Sequence, residues 1–249
     1  MFRLYVNSTI DYLRVLIVIV TLALEAIAAY TGQTMPWFLT GSIMIVALSL
    51  VNFIEHRKNS QSDWTKYALL LFVAMILCSI GDFLMAGVIY ITPEPLINGV
   101  LLFGLGHVVY LFAMRSRSPL LFSKTEEGRR LKKNNLVIWF ASILVLLLLF
   151  FTTLYNPTML VISIGLLGYG ILLMTVLAFT ITKWFDDVPR IFPVLLIVGF
   201  CLFLFSDWLI GVHNLTEPSF LTGPWVGLTY IIGQILIHLS PWLGSRGTP

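Results

Sequence analysis

The chain has 249 residues, of which 58% are hydrophobic and only 11% charged, and its mean hydropathy is +0.94. So little charge cannot clothe a soluble domain of this length, and a net charge of +3 is too small to indicate a nucleic-acid partner. The two cysteines, Cys78 and Cys201, lie inside apolar runs without metal-ligand spacing and read as small buried apolar residues.

A helix that crosses a bilayer core needs about 20 apolar residues. Eight runs of that order follow one another: Tyr12–Tyr30, Trp37–Ile54, Tyr67–Tyr90, Leu96–Met114, Leu136–Leu154, Thr158–Ile181, Phe192–Gly211 and Pro224–Trp242. Prolines and small polar residues mark the gaps, as in Thr92-Pro93-Glu94-Pro95 and Asn156-Pro157. Arg3, Arg14 and the small residues near Ala28 give the first run some features of a signal peptide. Glu25 within the run and the seven further spans predict an uncleaved anchor instead. The expected fold is an all-α bundle of eight transmembrane helices forming a single domain over residues 1–249.

The basic residues orient this bundle. All fifteen lysines and arginines fall on one side of an eight-span arrangement, and seven of them lie between Arg115 and Lys133. Positive residues are retained on the cytoplasmic side, so both termini are expected there. The Arg129-Arg130-Leu131-Lys132-Lys133 cluster then reads as a topology and headgroup signal in a loop.

Three carboxylates interrupt the spans: Glu25, Asp82 and Asp207. Each costs about 2.5–3.5 kcal/mol at the centre of an inserted helix unless something compensates it. His107 and Tyr110 share a face of the fourth span, Tyr169 lies in the sixth, Ser206 precedes Asp207, and Tyr230 and Gln234 share a face of the eighth. Counted at 1.5 Å per residue from the outer ends of the runs, Asp82 lies about 12 Å deep, Asp207 about 6 Å and Glu25 about 8 Å. Tyr230 comes out near ~9 Å and His107 near ~16 Å. These groups therefore share the outer half of the bundle, as a polar cavity open to that side would require.

A faint internal echo relates Gly81-Asp82-Phe83-Leu84 to Ser206-Asp207-Trp208-Leu209, and Gly106-His107 to Gly233-Gln234. It describes a weak 4+4 parallel repeat. A buried Asp can also serve only as a helix clamp through hydrogen bonds. That reading suits Glu25 better than Asp82, His107 and Asp207, for which Ser or Asn would clamp as well. His56 and His213 read as solvated residues outside the spans, and His238 as an interface residue.

Gly81-Asp82, Phe103-x-x-Gly106-His107-x-x-Tyr110, Tyr169-x4-Met174, Ser206-Asp207-x-Leu209 and Thr229-Tyr230-x-x-x-Gln234 occur in this order across most of the chain. In them the sequence resembles the lysoplasmalogenase family of YhhN-like membrane proteins. It departs in having Met35-Pro36 where the family often has Lys-Pro, and in a longer basic segment after the fourth span. The resemblance implies a membrane-embedded hydrolase, which in a bacterium would sit in the inner or plasma membrane. Such an enzyme cleaves the vinyl-ether bond of a lysoplasmalogen or related lysophospholipid to a fatty aldehyde and glycerophospho-ethanolamine or -choline.

The residues suit that chemistry. A strong acid must protonate the alkenyl carbon, and water must capture the resulting oxocarbenium ion, an intermediate that glycosidases handle with two carboxyl groups. Asp82 and Asp207 are the expected pair, with His107 orienting one carboxyl or relaying its proton. Tyr110, Tyr169, Ser206, Tyr230 and Gln234 are expected to position substrate or water. No cofactor or metal is expected. Other classes use the same groups: a proton-coupled transporter, a zinc hydrolase with His107, Asp82 and Asp207 as ligands, or a lipid-binding protein without turnover.

Cysteines introduced at Thr34, Pro93 and Glu217 should react with an impermeant thiol reagent from the outer face only. Reaction of any one from the cytoplasmic side would break the eight-span orientation.

Overall fold

Capping and punctuation place the helix ends. In the computed structural model, which describes residues 8–32, 34–59, 62–118, 121, 123–186, 188–215 and 223–246, Ser8 caps the first helix. Its hydroxyl accepts from the Asp11 amide at 3.2 Å, and Gly32 closes the helix with φ +70°. Arg3 and Glu217 lie outside the described residues.

The eight long helices are α1 (Thr9–Thr31), α2 (Thr34–Lys58), α3 (Ser62–Met85), α4 (Pro95–Ser116), α5 (Glu126–Leu149), α6 (Leu160–Thr182), α7 (Ile191–Leu215) and α8 (Gly223–Ser245). Each, with its flanking turns, is long and apolar enough to cross a membrane. Among the described residues there is no strand. The chain is an integral membrane protein of the all-α class.

Several boundaries differ from the apolar runs. The third span stops at Met85 rather than Tyr90, because the chain turns at Gly87 with φ +67°. Asp82 is therefore only about 4.5 Å from the end of its helix, while Asp207, on a helix that runs on to Leu215, is about 12 Å from its own. The basic cluster expected in a loop lies within α5, whose cap, Thr125, accepts from the Gly128 amide at 3.2 Å, ahead of Glu126 and Glu127 in the first turn. Apolar composition alone could not reveal a helix whose first turns are charged.

α8 is the hub, packing on α1, α2, α3 and α7, while the closest helix pairs are α3 with α4 and α7 with α8. Small residues permit this approach. A β-carbon on Gly199 would stand 2.9 Å from the Gly233 carbonyl oxygen, and one on Gly233 2.8 Å from the Gly199 carbonyl oxygen. Pro241 lies inside α8 and cannot supply an amide to Ile237, so the Ser240 hydroxyl donates to that carbonyl at 2.6 Å instead. α5 stands apart. It buries only Gly128, Leu131 and Leu146, and it is pinned to α6 by Asn135 Nδ2 donating to Thr182 Oγ1 at 2.7 Å and Trp139 Nε1 donating to Thr175 Oγ1 at 2.9 Å.

The basic end of the bundle carries its own buried network. Arg14, expected near the start of the first span, is fully buried. It donates to Asn52 Oδ1 at 2.7 Å and Asp11 Oδ1 at 2.9 Å, and it pairs with Glu55. Arg246 reaches Asp11 at 2.6 Å. Such charges are tolerated in an apolar bundle because they are paired and bonded.

Three cysteine and histidine expectations need correcting. Cys201 is exposed on the flank of α7, although Cys78 is buried. His56 is buried and stacks on Trp64 with centroids 6.0 Å apart. His238 is fully buried in the bundle interior.

Gly199→Ala and Gly233→Ala should each lower the thermal stability of the detergent-solubilised protein, by about 1–3 kcal/mol, as overpacking of a close contact does. An unchanged melting temperature in both would show that α7 and α8 separate without penalty.

Candidate active site

The bundle contains a cavity of about 620 Å³ between the ends of α1, α2, α3, α7 and α8 that lie away from the basic cluster. Glu25, Asp82 and Asp207 all line it, as do Ser206, Phe38, Phe103, His213, Trp225 and Tyr230. The rest of the wall is mainly aliphatic, with Leu22, Met85, Ile210 and Leu228 prominent. The three carboxylates placed in the outer half by the sequence thus share one chamber.

Two of them are held by hydroxyl groups from other helices. Asp82 Oδ2 accepts from Ser42 Oγ at 2.5 Å and from Tyr230 Oη at 2.9 Å. Asp207 Oδ2 accepts from Tyr169 Oη at 2.5 Å. Ser206, beside Asp207, donates to the Val226 carbonyl at 3.1 Å and so aligns α7 with the start of α8. Ser42 was missed in the sequence. The available signal was a hydroxyl residue in mid-span beside Gly41, but its partner lies 40 positions away.

The other expected site residues form a deeper layer. His107 is fully buried and donates from Nδ1 to the Phe103 carbonyl, 2.7 Å away. A proton on Nδ1 leaves Nε2 as a lone-pair acceptor, and that atom has no hydrogen-bond partner among the described residues. The imidazole makes no hydrogen bond to either Asp. It meets the Tyr169 ring edge-on at 5.7 Å between centroids, so its link to Asp207 passes through Tyr169. Tyr110 and Gln234 bond to one another instead of lining the chamber, with Tyr110 Oη donating to Gln234 Oε1 at 2.9 Å. His238 completes the layer, with Nε2 3.0 Å from Tyr110 Oη and Nδ1 3.0 Å from Ser49 Oγ. Because Tyr110 donates to Gln234, it accepts from His238 Nε2–H, and Nδ1 then accepts from Ser49. Tyr230, Gln234 and His238 recur every fourth residue of α8, so a polar stripe runs inward from the chamber.

Chemically the chamber combines acidic groups, phenol and serine hydroxyls, and an apolar wall of a size that takes an acyl chain end or a small amphiphile. Among the described residues, no three His, Cys, Asp or Glu side chains converge as metal ligands would.

The family model of the YhhN family matches residues 35–241, which takes in both aspartates, their hydroxyl partners and the His107 layer but leaves out α1. Neither the curated proteins nor the solved structures contain a match to this chain.

Tyr110→Phe should destabilise the protein by about 1–3 kcal/mol, since it strands the buried Gln234 and His238 groups. Thermal unfolding in detergent reads this; unchanged stability would show that water or a rotamer change replaces the hydroxyl.

Proposed function

The chain belongs to the YhhN family, the family of lysoplasmalogenase-like proteins, and from that premise we propose that it hydrolyses the vinyl-ether bond of a lysoplasmalogen within the membrane. The observation that carries the reading is the presence of Asp82 and Asp207 in the wall of one apolar chamber, each bonded by hydroxyl donors from a neighbouring helix.

The overall change is R–CH=CH–O–R′ + H₂O → R–CH₂–CHO + HO–R′. One carboxylic acid delivers its proton to the carbon beta to the ether oxygen, and the electron pair of the double bond forms the new C–H bond. Positive charge then resides on the alpha carbon and oxygen, where the second carboxyl, ionised, stabilises it. Water adds to the alpha carbon and loses a proton to a carboxylate, and the hemiacetal collapses to the aldehyde and the glycerol hydroxyl.

We assign the ionised role to Asp82. Two hydroxyl donors converge on it, which is the arrangement that supports a negative charge. Asp207, with a single hydroxyl donor among the described residues, is the acid that serves the alkenyl carbon. Tyr230 and Tyr169 orient the two carboxyls, while His107, Tyr110 and Gln234 brace them from behind. Among the described residues no Lys or Arg lines the chamber, and in this reading the carboxyl pair and its hydroxyls carry the chemistry.

A second reading, a proton-coupled transporter, is favoured by the stripe from Tyr230 through Gln234 and Tyr110 to His238 and Ser49, which extends polar groups from the chamber toward the basic end. Release of fatty aldehyde from a vinyl-ether lysolipid by the purified protein separates the two.

Asp82→Asn and Asp207→Asn should each lower aldehyde release by about 10²–10⁴-fold, the usual worth of general acid–base catalysis. The double variant should fall little further, because the pair acts as a unit. Asn preserves size and hydrogen bonding, so near-wild-type turnover by either single variant would defeat the two-carboxylate mechanism and leave the transporter reading ahead.

A further inference from the structure

Hydroxyl groups hold two of the three carboxylates in the chamber wall, but not the third. Glu25 is only 6% exposed, it lines the chamber, and its Oε1 has no hydrogen-bond partner among the described residues. The helix clamp expected from the sequence would need such a partner. Among the described residues, no lysine or arginine lines the chamber and none of the ion pairs involves Glu25.

The neighbouring helices nevertheless make room for this group. A β-carbon on Gly41 would stand 3.3 Å from Glu25 Oε1, and one on Gly227 would stand 3.1 Å from Oε2. Side chains at those two positions would crowd the carboxylate from α2 and α8. The same two helices hold Asp82, through Ser42, adjacent to Gly41, and Tyr230, one turn beyond Gly227. Glu25 and Asp82 thus both face α2 and α8 across the chamber wall. Phe38 flanks the space: its Cδ2 is 3.6 Å from the β-carbon position of Gly227, and its ring centroid is 5.3 Å from that of Tyr230.

We infer that Glu25, framed by Gly41, Gly227 and Phe38, is the subsite for the ammonium group of a zwitterionic lysolipid headgroup. The inference rests on the lipid reading proposed above and adds a specificity-determining residue to it. A buried carboxylate without a partner is costly, and a ligand that brings a cation to it relieves that cost, with aromatic faces adding cation–π attraction. A net-anionic headgroup meets the opposite condition, three carboxylates and no lysine or arginine among the described residues of the lining. Glu25 also comes from α1, outside residues 35–241 matched by the family model. Headgroup selection thus falls to α1, a helix outside the residues that the family model matches.

The test uses the full-length protein in detergent and saturated 1-O-alkyl lysolipids, which have no vinyl ether to cleave. Binding of the phosphoethanolamine and phosphocholine forms is compared with that of the amine-free phosphate form of the same chain length, by quenching of intrinsic tryptophan fluorescence. Wild type should bind at least one amine-bearing lipid about 10- to 100-fold more tightly than the amine-free one, the worth of a charge-assisted contact. Glu25→Gln should erase that difference while leaving amine-free binding no weaker. The choline arm separates a quaternary ammonium held by charge and the Phe38 ring from a primary one that also donates hydrogen bonds. Should Glu25→Gln fail to fold, Gly41→Ala, which presses a methyl group on the carboxylate, should reduce the same preference. An equal effect of the substitution on amine-bearing and amine-free lipids, or no amine preference in wild type, overturns the subsite. Aldehyde release from a lysoplasmalogen is measured separately. Amine-selective binding without aldehyde would leave the subsite standing and remove the hydrolase reading, whereas aldehyde without amine selectivity would do the reverse.

Discussion

One carboxylate ties the site to the fold. Asp82 of α3 accepts from Ser42 of α2 and Tyr230 of α8, so a single oxygen joins three helices at the wall of the chamber. In an apolar bundle, a buried polar group left without a partner is costly, and for Asp82 the partners come from two other helices. The geometry of the chamber follows from satisfying Asp82: α2 and α8 must both approach α3 closely. Gly41 and Gly227, near the two donors on their respective helices, leave the space into which Glu25 projects.

The same rule organises the interior beyond the chamber. Tyr110, Gln234, His238 and Ser49 form a connected chain of donors and acceptors in the middle of the bundle. Farther along, Asn52 donates to the His238 carbonyl at 2.6 Å and accepts from Arg14. Polar contacts thus succeed one another along α8 from the acidic chamber to the basic end, with aromatic rings filling the gaps. His107 packs against Phe203 at 4.8 Å and Tyr110 at 5.5 Å between centroids. Polar contacts of this kind fix orientation in a setting where apolar side chains, facing either lipid or one another, discriminate weakly between packings.

Hydropathy made the eight spans legible because a membrane helix is defined by length and apolarity, both linear properties of the chain. The aspartates were legible for the converse reason, as residues that an apolar span tolerates only with compensation. Tyr230 and Tyr169 proved to be partners of Asp82 and Asp207, respectively. What stayed hidden depended on neighbours distant in sequence. Ser42 gains meaning only from Asp82, and Tyr110 and Gln234 bond to each other rather than lining the chamber, in a chain that His238 and Ser49 extend. His56 and His238, near span ends, read as solvated or interfacial, yet are covered by Trp64 and by α2 and α4. The end of α3 was misplaced by five residues because Gly87, not a loss of apolarity, ends the helix.

The ion network at the basic end has a consequence for the order in which the molecule is made. Asp11 and Arg14 enter the membrane with the first helix, and Asn52 and Glu55 arrive with the second, so most of this buried cluster can assemble early in synthesis. Trp242, whose ring lies 5.2 Å from the Arg14 guanidinium, belongs to α8, and Arg246, which closes on Asp11, follows directly after it. Until α8 has left the ribosome, α1 keeps a half-neutralised charge cluster at its base and has no wall to complete its side of the chamber. α1 therefore waits for α8, translated about two hundred residues later, and a quality-control factor surveying the membrane would find in that exposed cluster a marker of unfinished packing.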